Sequence, residues 1–190
     1  MLDTGAVVSV SWWAIIPLIV VGSVLHFVYD WSGHNRVVAV FAAVSESYWE
    51  HIKIAAWLTM VLYAALFVLG GALQPSFVPA ATVALYSIPV TMIGVVFVYK
   101  AVAGRNVLWV DIAVFGLCIA LAQVIFVCLL SGLEADVLVV VLSVFYLVGI
   151  VAAYVVFTLR PPAEPDVFID PITYRYGVEG HADYEAAPGD

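Results

Sequence analysis

Five long runs of apolar residues, broken by short polar intervals, dominate the hydropathy pattern. They cover roughly 11–30, 52–74, 77–99, 107–130 and 136–159. Each reaches the length of about 20 mostly apolar residues that a helix needs to cross the hydrocarbon core of a bilayer. The pattern predicts an all-α fold, a polytopic bundle of five transmembrane helices. Between the first two runs lies a polar turn from Asp30 to Arg36, then an apolar stretch from Val37 to Val44 that is too short to cross. That stretch is expected to lie at the interface or to re-enter from it. Ser47 with Glu50 three positions later has the capping-box spacing and predicts the start of the second span. Pro89 is expected to kink the third span, with Ser87 or Thr91 meeting the carbonyl it frees. Small residues, Gly116 with Ala120 and Gly149 with Ala153, supply faces for close helix packing.

Composition agrees with a lipid-facing chain. Of 190 residues 65% are apolar and 11% charged, and the mean hydropathy is +1.13. The net charge of -8 belongs largely to the end of the chain, because 7 of the 14 acids follow Pro161. Residues 161–190 are therefore expected to form an acidic tail, with the apolar and aromatic segment from Val167 to Gly177 docked on the bundle. All six basic residues fall in three places: Arg36 and Lys53, Lys100 and Arg105, Arg160 and Arg175. The positive-inside rule puts those segments in the cytoplasm, the amino terminus outside and the carboxyl terminus inside a cell membrane. The first ten residues contain no Lys or Arg, so the first run is expected to be a retained span rather than a leader. Cys118 and Cys128 lie ten positions apart on one helix, about 15 Å, too far to bridge.

The candidate chemistry collects at the cytoplasmic ends of the spans. His26 and Asp30 share a helix face, Glu46, Glu50 and His51 open the second span, and Asp111 lies about one turn inside the fourth. Ionisable groups inside a span cost about 2.5–3.5 kcal/mol on insertion scales and are usually paired or turned inward. Imidazoles and carboxylates on neighbouring helices are what a divalent metal such as zinc requires. This gives a candidate metal set of His26, Asp30, Glu46 and His51, with Glu50 as candidate catalytic proton acceptor and Asp111 as a further polar group. The plainer reading is a hydrogen-bonded anchor in which Asp30 holds His26 and Ser47 and Glu50 only cap. His34 and His181 read as solvated, and Trp12, Trp13, Trp31, Trp49 and Trp109 as an interfacial aromatic belt.

The segment from His26 to Gly33, with Phe41 and the block from Ser45 to Lys53, resembles a family of small prokaryotic membrane proteins of unknown function. There the block commonly reads Asn-Glu-Ser-x-Trp-Glu-His-x-Lys, and this chain has Ser45 at the first position. The tail segment from Phe168 to Thr173 is similar as well. The resemblance implies a membrane protein and carries no activity. A fainter similarity, to seven-helix zinc hydrolases of the alkaline ceramidase and progestin-receptor type, is opposed by the span count and by the absence of His from the late spans.

Two functional classes follow. One is a metal-binding membrane protein that hydrolyses a membrane-associated substrate. The other is a non-enzymatic carrier, channel or complex subunit in which the cluster is structural. The expected partners are the lipid bilayer and either a second copy of the chain or a cytoplasmic protein held by the tail. No mid-span Lys for retinal, phosphate-cradling Gly loop or basic nucleic-acid patch occurs.

Overall fold

The first helix starts earlier than its hydropathy suggests, because Asp3 caps it. In a computed structural model, which describes residues 2–105, 107–162 and 166–181, the Asp3 carboxylate accepts from the Ala6 N–H at 2.7 Å. That satisfies one orphan donor of α1 (Thr4–Trp31) and brings the segment predicted to precede the span into it. At the other end Gly33 and His34 both take left-handed backbone angles, φ 67° and 62°, and turn the chain sharply. Asn35 then caps the single-turn α2 (Arg36–Ala39), accepting from the Val37 N–H at 2.8 Å. An irregular segment of mostly buried residues follows, to Ser47.

The remaining long helices are α3 (Tyr48–Leu69), α4 (Phe77–Ala103), α5 (Leu108–Gly132) and α6 (Val137–Leu159). With α1 they make five helices long and apolar enough to cross a membrane. Their order is up-down, so the end of α1, the start of α3, the end of α4, the start of α5 and the end of α6 share one end of the bundle, here called the histidine end. Helices α4 and α5 form the most extensive pair, and α1 and α3 pack on them. Gly22 lets α1 approach α5, since a Cβ there would collide with the Phe115 ring. Helix α6 lies at the edge against α4, where Tyr86 donates to the Tyr146 carbonyl at 2.9 Å and Thr82 to that of Ser143 at 3.2 Å. Only 11% of its most apolar window is buried, the pattern of a helix whose solvent is lipid.

Several local expectations need correction. Ser47 is the N-cap residue of α3 but makes no side-chain capping bond, and the Glu50 carboxylate accepts from the Val44 N–H at 2.9 Å and pairs with Lys53 at 2.6 Å. The ammonium of Lys53 attracts that carboxylate away from the backbone N–H it would need to reach as a capping box. Ser87 donates to the Ala84 carbonyl, one turn back from its own position, at 2.6 Å, rather than to the Leu85 carbonyl that Pro89 frees. Trp49 is 8% exposed, not part of a belt. Its ring packs on Phe168 of the tail at 4.9 Å and on Tyr154 and Phe157 of α6, each at 5.4 Å. Trp12, Trp13, Trp31 and Trp109 are exposed.

That aromatic contact is one fastening for the tail. Another is Asp170, 2% exposed, which accepts from the Glu46 N–H and, within the tail, from the Ile172 and Thr173 N–H groups, each at 2.7 Å. A bridge between Ile169 and Tyr176 closes the loop around it. The segment 166–181 thus lies on the histidine end, while the acidic run beyond His181 falls outside the described residues.

Candidate functional site

Three of the predicted residues come together there. His26 sits near the end of α1, Glu46 in the segment that returns to α3, and His51 in the first turns of α3. His26 Nε2 lies 2.8 Å from Glu46 Oε1, and the His26 and His51 ring centroids are 5.1 Å apart. One ligand atom from each of the three residues lies within 4.8 Å of the other two. The His51 tautomer follows from its partner. Its Nδ1 is 2.9 Å from the Ser47 carbonyl, which can only accept, so Nδ1 carries the hydrogen and Nε2 keeps its lone pair. An imidazole oriented by a backbone carbonyl through its other nitrogen is the usual setting of a metal ligand.

Glu46 lies outside the helices, and the hydrogen bond from His26 holds its carboxyl below the usual glutamate range. It is therefore an anion at neutral pH, as a ligand must be. Two imidazoles and one carboxylate form a donor set suited to zinc or to non-haem iron, with coordination positions left open.

The set borders a cavity of about 600 Å³. Its polar margin is His26, Glu46, Tyr48, His51 and Asp111, and Ile54, Met92, Ile112 and Phe115 supply apolar walls. Pro171 and Ile172 of the tail close one side. Asp111, in the first turn of α5, accepts from Tyr99 through a very short hydrogen bond and from Tyr48 at 3.4 Å, both on Oδ1. The Lys100 ammonium lies over the Tyr48 ring, 5.1 Å from its centroid. Sequence reading singled out Asp111 but not the two tyrosines, whose partners lie 63 and 12 positions away. A tyrosine one helical turn from the end of a span is most simply a belt residue, so nothing local marked them.

Glu50 and Asp30 go elsewhere. Glu50 is 1% exposed and its carboxylate is engaged by Lys53, itself 0% exposed, and by the Val44 N–H. Lys53 Nζ also donates to the Ala39 carbonyl at 2.6 Å. This buried pair fastens α2 and the segment after it to α3, and Glu50 does not line the large cavity. Asp30, one turn beyond His26 on the same helix face, is engaged by other partners nearer the end of the helix. Its Oδ1 lies 2.5 Å from His181 Nε2 and 3.8 Å from His34 Nε2. His181 is therefore docked, its side chain 13% exposed, contrary to the solvated reading. A tail contact across 151 positions leaves no local trace in the sequence.

No curated protein and no solved structure matches the chain. Residues 6–178, which include every group described above except His181, match a family whose description states no function. The chain belongs to the family of unknown function DUF6512.

Proposed function

We propose that the protein is a membrane-embedded, divalent-metal-dependent hydrolase acting on an amphiphile, with His26, Glu46 and His51 as metal ligands. One observation carries the reading: the three donor groups converge at the polar margin of a cavity whose walls are otherwise apolar. A substrate with a polar ester or amide near headgroup depth and an acyl chain in the cavity matches that division of surface. A bound ion would polarise the carbonyl and lower the pKa of water to about 7. Asp111 borders the same cavity, and it is the carboxylate to which the reading assigns the proton. In the reaction the water oxygen bonds to the carbonyl carbon, the ester or amide bond breaks, and the water proton passes through Asp111 to the leaving oxygen or nitrogen. Glu50, committed to Lys53, serves to hold the loop that carries Glu46 rather than to accept this proton.

Arg36, Lys100, Arg105, Arg160 and Arg175 belong to the segments at the histidine end, and by the positive-inside rule this supports a cytoplasmic location for the site. The test is hydrolysis of a long-chain fluorogenic ester or amide by zinc-loaded protein in detergent. Turnover that disappears with His51→Ala and returns with added zinc only in the wild type supports the reading; equal turnover in both proteins defeats it.

A second reading has its own support. His26 and Glu46 are hydrogen-bonded to one another, and His51 to the Ser47 carbonyl through Nδ1, contacts that also suit a structural anchor. Under that reading the purified protein takes up no stoichiometric metal, and His51→Ala lowers stability alone.

A further inference from the structure

A second convergence of ligand-type side chains, on the tail side of the histidine end, is unused by the reaction proposed above. We infer that Asp30, His34 and His181 form a separate zinc-class site that latches the tail over the cavity. One ligand atom from each lies within 4.8 Å of the others. The donors come from three parts of the chain: the last turn of α1, the turn after it, and the docked tail. The two imidazole rings are 4.6 Å apart and both direct Nε2 toward the same Asp30 oxygen. Beneath them the buried Tyr29 ring packs on His34 at 5.2 Å and on His181 at 5.3 Å, giving the pair an apolar floor.

The spacing is that of ligands rather than of a completed hydrogen-bond network. At 3.8 Å, His34 is too far from Asp30 for a hydrogen bond. Two donors on a tetrahedral zinc, each about 2.0–2.1 Å from the ion, lie roughly 3.3 Å apart. An ion therefore draws His34 in slightly and opens the closer His181 contact by less than about 1 Å. His34 reaches this place only through a left-handed backbone, φ 62°, which non-glycine residues rarely adopt.

The consequence lies in what the tail covers. Pro171 and Ile172 close one side of the large cavity, and a smaller one of about 200 Å³ runs between the two ligand sets, bordered by His26 and Glu46 as well as Asp30 and His181. An ion at this site binds only the docked tail, since His181 leaves with the tail. Metal occupancy and closure of the cavity are thus linked. The linkage is independent of whether the first site performs hydrolysis.

The test uses the full chain in detergent, stripped with chelator and titrated with zinc chloride. After Pro161 the chain has one trypsin site, the bond following Arg175, and the bridge and turn around Asp170 must open before it is cut. His34→Gly is the informative variant, because glycine accepts the left-handed backbone and removes the ligand without disturbing the turn. The wild type is expected to bind two zinc ions per chain and His34→Gly one. Zinc at about 100 times its dissociation constant should slow cleavage after Arg175 roughly a hundredfold in the wild type, and have no such effect in His34→Gly or His181→Ala. His51→Ala should also bind one ion but retain the zinc-dependent protection. Equal zinc binding by His34→Gly and wild type, or protection that survives in His34→Gly, overturns the latch. A single ion lost in His51→Ala but kept in His34→Gly overturns the latch and leaves the first site standing. A single ion with the opposite dependence supports the latch and removes the first site.

Discussion

His26 on the first transmembrane helix and Glu46 in the segment that returns to α3 meet at 2.8 Å, although 20 positions separate them. The contact depends on the turn at Gly33 and His34 and on α2, which fold the connecting segment back over the end of α1. It also sets the charge of the site, because the His26 hydrogen bond depresses the Glu46 carboxyl. Folding lowers this pKa, so its stabilising contribution is fully present above the ordinary glutamate range and fades as pH falls through the lower folded value. Glu46→Gln is expected to flatten the acid side of the stability profile, from the ordinary glutamate range downward. Denaturant unfolding in detergent across that range measures it. The wild-type slope persisting in Glu46→Gln would assign the acid sensitivity to other groups.

The Glu50–Lys53 pair predicts an asymmetric mutational response. Both side chains are buried, and removing one partner strands the other charge. Glu50→Gln or Lys53→Met alone should cost about 3–5 kcal/mol, whereas the double replacement should cost clearly less. Unfolding free energies for the four proteins give the coupling. Additive losses would show that the pair is not an interacting unit. Because Glu50 is structural here, Glu50→Gln should leave the per-molecule turnover of the folded fraction within a fewfold of wild type.

Asp170 ties the tail to the bundle through the Glu46 N–H and sets the tail's own turn by accepting from the Ile172 and Thr173 N–H groups. Hydrogen bonds to a charged acceptor contribute about 1.5–3 kcal/mol each, so Asp170→Ala should release the segment while leaving the helices intact. Cleavage after Arg175 is expected to accelerate at least tenfold, with faster amide exchange at Glu46, Ile172 and Thr173. Unchanged cleavage would mean that the packing of Phe168 on Trp49 holds the tail without Asp170.

Asp111 and the cavity wall separate chemistry from binding. Asp111→Asn is expected to lower turnover by roughly 10²–10⁴, the usual contribution of a positioned general base, without changing zinc content. Ile112→Trp, on the apolar wall, should discriminate against long-chain substrates and spare short ones, again with zinc retained. A uniform loss for all chain lengths in Ile112→Trp would contradict an acyl-chain role for the cavity.

The five spans were legible because lipid demands long apolar runs, and no tertiary contact is needed to recognise one. Their ends were less so. The true start of α1 depends on the Asp3 cap, and the expected capping box at Ser47 yields to an ion pair that only the fold creates. His26, Glu46, His51 and Asp111 could be nominated from the sequence, since ionisable groups at span ends are conspicuous in an apolar chain. Which of them meet could not. Glu50 adjoins His51 yet points to Lys53, because helix geometry sends adjacent side chains about 100° apart; Asp30 shares a face with His26 yet pairs with His181, because the docked tail brings that imidazole to it. The docked tail was signalled only by its aromatic residues, and the partners of Phe168 and His181 are long-range.

Metal binding by His26, Glu46 and His51 underlies the proposed chemistry, and zinc K-edge absorption on His34→Gly protein isolates it, since that variant is expected to retain only this site. One tightly held zinc is expected, with two imidazole nitrogens and a carboxylate oxygen at about 2.0–2.2 Å, and it should be lost from His34→Gly carrying His51→Ala. Absence of bound zinc from His34→Gly, or an unchanged spectrum after His51→Ala, would rule out this metal site.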